Sequence, residues 1–437
     1  MKPCKPLFFI RNRLILLRKK NLIDVKKIAM RKIAMTIKFF LLALTSLVLT
    51  NCNTTDNPKV DSGINPELQT TEAQAMVEAN NEFAISLFKE VAETEASENY
   101  MVSPLSVSMA LGMVHNGTGG QTNSEFNDIL GYPDVSFAND FNQSLIASLT
   151  ASDAGATLNL ANAIWVENGF PVEEEFISVN EEYYNAEVDN LDFASSDAVN
   201  MVNNWAYDRT NGKIEDIVDN FDDATVLFLA NALYFKGTWK YRFDPNETIE
   251  DVPFYTDNGT ENVEMMFMDN TNFSYFANDI FSSVLLPYKN DRYQMMVLLP
   301  HQNYNTEDIS EELSVTNLEN WLEAYTETKL TVQLPKFKME YKNELNDELI
   351  ELGIQSAFDS NADFSNINSN ADLQISKVIH KTFIEVNEEG TEAAAVTGVE
   401  IVVTSAPPSF IANKPFLYLI RDSFTGSICF MGKVGRP

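Results

Sequence analysis

The chain reads as an α+β protein, because helical patterns gather in its first half and strand patterns in its second, with one continuous apolar run between them. The helical evidence starts with Phe83, Ala84, Leu87, Phe88 and Val91, which fall on one helix face. Ser103-Pro104 then supplies an N-cap residue followed by proline at the first helical position, and Asn116-Gly117 supplies the stop. The apolar run is residues 226–235, interrupted only by Asn231, and it predicts a strand covered on both faces. Residues 416–421 and 428–434 predict two further strands joined by a turn at Gly426.

From Ala73 onward there is no second linker, repeat or low-complexity block, so residues 73–437 are expected to form one domain. Residues 52–72 are polar, carry two prolines, and predict a flexible tether. Residues 1–51 read as an export segment. Arg31, Lys32 and Lys38 precede the apolar stretch Phe39–Thr50, which at about a dozen residues falls short of the roughly 20 a membrane helix needs. Leu49-Thr50-Asn51-Cys52 resembles a bacterial lipobox, with Cys52 as the lipidated residue and the only membrane anchor. Asn51 departs from the small residue usual before that cysteine, and translation starting at Met30 or Met35 fits the same pattern. A plain secretory signal with unmodified Cys52 is the alternative. The expected location is therefore the cell envelope, or the outside.

Charge excludes a class of partners. Twelve of the 31 Lys and Arg lie in residues 1–51, which hold one acid, Asp24. The remainder carries 19 basic and 62 acidic residues, a net −43 that repels nucleic acid and anionic lipid. Past the export segment only Cys52 and Cys429 remain, so no internal disulfide is expected if Cys52 is lipidated. With His115, His301 and His380 as the only histidines, no structural metal site and no cofactor are expected.

One segment carries two patterns at once. In residues 391–403 one alternate set is Thr391, Ala393, Ala395, Thr397, Val399, Ile401 and Val403, all small or apolar. The other set holds both charges, Glu392 and Glu400. Period two with one uncharged face suits a half-buried strand. Gly390 and Ala406-Pro407-Pro408 on its flanks suit an exposed loop. An ordinary edge strand fits the pattern as well. No GxSxG elbow occurs, and Ser405 lies beside Pro407-Pro408 rather than on a strand-to-helix turn, so a Ser/His/Asp hydrolase is disfavoured.

The chain resembles the serpin family over residues 73–437. The resemblance rests on Glu388-Glu389-Gly390-Thr391-Glu392-Ala393-Ala394-Ala395, on Asn231 to Gly237 followed by Trp239, and on Ser103-Pro104-Leu105-Ser106. Leu334-Pro335-Lys336-Phe337, Ser376 to Lys381, Asn413-Lys414-Pro415-Phe416 and Phe430 to Val434 extend it in family order. It implies helices packed around a large central mixed sheet, further sheets, and an exposed reactive-centre loop. It also implies a monomer that inhibits proteases by suicide: a serine protease, or a cysteine protease reading Val403, cuts the loop and is trapped as an acyl-enzyme while residues 390–404 enter the sheet. The implied scissile bond is Thr404–Ser405, with Val403–Thr404 one residue away. Glu389, Gly390, Thr391, Glu392, Ala393, Ala394 and Ala395 are the implied hinge. Ser103, Ser106, Asn231 and His380 are the implied shutter, and Trp239 marks the breach. Val402-Val403-Thr404 suits a shallow elastase- or subtilisin-type pocket. The competing reading is a non-inhibitory serpin acting as a binding or surface protein.

Overall fold

The computed structural model describes residues 66–151, 155–289, 291–391 and 408–437. Cys52, Glu392, Ala393, Ala394, Ala395, Val403, Thr404 and Ser405 lie outside the described residues.

Helix α1, Thr71–Thr94, opens on Thr70, whose hydroxyl accepts the Ala73 N–H at 3.1 Å, and it buries the whole stripe from Phe83 to Val91. Helix α2, Pro104–His115, is capped by Ser103 and has proline at its first position, as its sequence predicts. Helix α3 spans Ala198–Arg209. The expected tether is too long at its far end. Pro66–Gln69 forms a 3₁₀ turn with Leu68 buried, because Leu68 has α1 to pack against.

Two sheets divide the strands. The six-stranded sheet contains β1 (Ala156–Glu167), β2 (Ala186–Leu191), β3 (Leu227–Thr238), β4 (Phe337–Glu344), β5 (Ile379–Asn387) and β6 (Gly390–Thr391), in the order β4-β5-β6-β3-β1-β2. β3 is the apolar run around Asn231. Leu233 and Phe235 face the main core, while Phe228 and Ala230 face a second cluster under α3. The strand is thus covered on both faces, as predicted. β5 alternates strictly, burying His380, Thr382, Ile384 and Val386. The nine-stranded sheet holds Phe416–Asp422 and Ile428–Val434 as antiparallel neighbours, with Gly426 at φ +86° in the turn between them. Helices and strands are less segregated than the sequence suggests: β1 and β2 lie among the early helices, and among the described residues three short α-helices and a 3₁₀ turn follow residue 300.

Candidate functional site

β6 is a wedge of two residues. It pairs antiparallel with β5 through Val386↔Thr391 and Asn387↔Gly390, and with β3 through Gly237↔Thr391 and Thr238↔Gly390. β3 and β5 are therefore parallel to one another, and among the described residues no ladder joins them directly. Beyond the wedge a cavity of about 540 Å³ separates them, lined by Leu227, Leu229 and Asn231 of β3, Ile379 and His380 of β5, and one face of α2. Gly390 and Thr391, the first residues of the segment that the resemblance implies would insert, are already strand, because each closes a ladder on both sides.

The wedge is tightly held. Gly390 has φ +147°, and a Cβ there would lie 1.9 Å from the Gly237 carbonyl oxygen, so only glycine fits. Thr391 is 3% exposed and its hydroxyl shares a 2.7 Å hydrogen bond with the Tyr288 hydroxyl. Tyr288 stacks on Trp239 at 4.5 Å between ring centroids. Trp239 in turn donates its backbone N–H to the Glu389 carbonyl at 2.7 Å and its indole N–H to the Asn387 carbonyl at 3.0 Å. Glu388 accepts from Thr248 at 2.8 Å and pairs with Lys336 at 3.5 Å. Burial pulls the Lys336 ammonium down, but bonds to Glu264 and Glu388 and their charges outweigh it, so its pKa is raised. Trp239, the residue expected to mark the breach, thus ties down the chain that leads into β6. Tyr288 was not found by sequence reasoning, since nothing local to Pro287-Tyr288 marks a partner 103 residues away.

The four expected shutter residues come together as one hydrogen-bonded chain, joined in its middle by the Ser106 N–H, which donates to the Ser103 hydroxyl at 3.3 Å. The Ser103 N–H donates to His380 Nε2 at 2.9 Å, and the Ser103 hydroxyl donates to the Cys429 carbonyl at 2.8 Å. Ser106 donates to the Asn231 Oδ1, and Asn231 donates onward to the Asn162 Oδ1 at 2.7 Å. His380 on β5 and Asn231 on β3 stand on opposite sides of the slot, each tied to the N-terminal turn of α2. That one helix end clamps both strands. Burial pushes the His380 imidazole down to about 4, so at neutral pH it is uncharged with its proton on Nδ1. Asn162, whose amide also donates to the Tyr184 carbonyl at 2.7 Å, was missed by sequence reasoning. Its strand carries a second amide, Asn159, so nothing local singles Asn162 out until the register sets it opposite Asn231.

Residues 78–437 match the family model described as serpin (serine protease inhibitor). The chain belongs to the serpin family. Human neuroserpin is 35% identical over 375 residues, covering 82% of this chain and 91% of neuroserpin. Among solved structures, the thermophilic serpin tengpin in its native state has a TM-score of 0.76 at 30% identity, covering 83% of this chain and 94% of tengpin. Human thyroxine-binding globulin complexed with thyroxine has a TM-score of 0.77 at 28% identity, covering 83% of this chain and 98% of that one. The serpin fold expected from the sequence is the fold observed. Among the described residues no group of three or more His, Cys, Asp or Glu is placed to hold a metal ion. No helix among them is long and apolar enough to cross a membrane.

Proposed function

We propose that this serpin is an inhibitor that traps a serine protease of elastase- or subtilisin-like specificity, cut at Thr404–Ser405. Attack on the Thr404 carbonyl forms the acyl-enzyme; the freed segment then adds to the six-stranded sheet and carries the enzyme away before deacylation. Serpin loop insertion is a known case of strand addition that releases stored strain. The supporting observation is the slot: β3 and β5 are held apart at one end by Gly390 and Thr391, with a cavity beyond. Small residues at Ala393, Ala394 and Ala395 and the uncharged alternate set suit entry into it. Carrying the wedge's register onward sets residue 397 opposite both His380 and Asn231. In the inserted state the Thr397 hydroxyl would then stand between the two shutter side chains.

Thr404→Arg tests the reactive bond. Inhibition of an elastase-type enzyme is expected to fall by about 10- to 100-fold, with inhibition of a trypsin-type enzyme gained. Unchanged elastase inhibition would place the cut elsewhere, at Val403–Thr404 first. The non-inhibitory reading is kept open by the likeness to thyroxine-binding globulin. It predicts cleavage without any covalent complex.

We further propose that residues 1–51 direct export, that Cys52 carries a lipid, and that the stretch after it tethers the inhibitor to the cell envelope. Cys52→Ala is then expected to move the protein from the membrane to the soluble fraction. Continued membrane partitioning of the variant would refute the anchor.

A further inference from the structure

Between α3 and β3, residues 210–226 run as a strap over the outer face of the six-stranded sheet. One side of the strap is fixed to α3. Ile214, Ile217 and Val218 are buried in the outer cluster with Trp165, and Asn203 of α3 accepts the Ile217 and Val218 N–H groups at 2.9 and 3.0 Å. The other side meets β4, β5 and the stretch leading into β5 in a row of ion pairs. Lys213 pairs with Glu385 at 3.6 Å, Asp216 with Lys381, Asp219 with Lys342 at 2.8 Å, and Asp222 with Lys377 at 3.4 Å. The three acids recur at every third position and each has its own lysine. Val218, Phe221 and Asp222 of the strap also line the slot, while α2 lines it from the core side. The strap therefore bridges the gap between β3 and β5, bound through α3 on one flank and by charge on the other.

We propose that this row of ion pairs is a salt-sensitive latch on strand insertion. The inference rests on the inhibitory reading above. A strand entering between β3 and β5 needs the strap to lift from β5, and what it leaves behind are these pairs. The aspartates are 53, 70 and 53% exposed, so mobile ions reach the acid side of every pair. The pairs of Asp219 and Asp222 are open to screening, while Lys381, 3% exposed and shared with Glu340, makes the Asp216 pair the least salt-sensitive of the three. Four in a row act together. The apolar contacts under the strap respond to salt with the opposite sign, so the direction of the response is diagnostic.

The test compares the full chain with an Asp216→Asn/Asp219→Asn/Asp222→Asn variant, in which shape is kept and charge removed. Between about 20 and about 500 mM NaCl the Debye length shrinks from roughly 20 Å to roughly 4 Å. Over that range the limiting rate of covalent complex formation with an elastase-type protease is expected to rise about fivefold for wild type. The variant is expected to start near the raised value and change by less than about 1.5-fold. A wild-type rate flat in salt, or a variant that keeps the wild-type response, overturns the latch. Amide exchange over 210–226 in the free protein reads strap opening without any protease. It should quicken with salt in wild type only, and equal salt responses in the two proteins would overturn the latch. If no complex forms under any condition the inhibitory reading fails, and the exchange result still decides whether charge holds the strap.

Discussion

Thr391→Arg is expected to be cut in the bait loop at a near-normal rate and to trap almost nothing. Position 391 is already inside the sheet, with its hydroxyl on Tyr288 and its backbone laddered to both β3 and β5. An arginine there would place a charge beside Tyr288 and Trp239, where burial of an unpaired charge costs roughly 3–5 kcal/mol. Arginine cannot shed its proton to escape that cost. The native state would relieve it by expelling the two residues of β6, which leaves the remaining strands intact. The inserted state has no such outlet, because residue 391 must lie in the slot for the rest of the segment to follow. Insertion slows, deacylation wins, and the yield of denaturant-stable complex is expected to fall more than about tenfold. Thr391→Ser keeps the hydroxyl and should trap like wild type. Equal complex yields from Thr391→Arg and wild type, on a denaturing gel, would remove loop insertion from the account.

Acid is expected to destabilise the protein through its buried histidines. The His380 pKa is lowered to about 4 by burial, and so is that of His115, which is stacked on Phe126 and accepts from Asn123 at 3.2 Å. Both would titrate near 6.5 in the unfolded chain. As pH falls, the unfolded state takes up these protons first, so stability is full above about 6.5, declines between about 6.5 and about 4, and levels off below. Each histidine accounts for about 3 kcal/mol over that window. His380→Gln retains an acceptor for the Ser103 N–H and removes one titration. Denaturant unfolding at pH 7 and near pH 4.5 should then show a smaller acid loss for the variant, by about 2–3 kcal/mol. Identical losses would mean that His380 is not held neutral by burial. The carboxylates also respond to acid, but they are common to both proteins and cancel in this comparison.

Much of the site was legible because its signals are local. Ser103-Pro104 announces a capped helix, and the lone Asn231 in an apolar strand announces a buried amide in need of a partner. Gly390, by contrast, reads in the sequence as the flank of an exposed loop, whereas it is required where a Cβ would strike the Gly237 carbonyl. What stayed hidden depends on pairing across long sequence separations. Tyr288 meets Thr391, Trp239 ties down the Glu389 carbonyl, and one turn of α2 clamps both β3 and β5, none of which leaves a trace in any single segment. Residues 66–70 read as tether because Thr70 looks like a solvated polar residue and Leu68 like an isolated apolar one until α1 is there to be capped by the first and to cover the second.

The most direct test of the central claim is to incubate the protein with an elastase- or subtilisin-type protease and resolve the products by denaturing gel and intact mass. The account predicts a covalent adduct whose mass is that of the protease plus the inhibitor lacking residues 405–437, with that C-terminal piece released. Clean cleavage at the same bond, with all the protease recovered free and active, would contradict it.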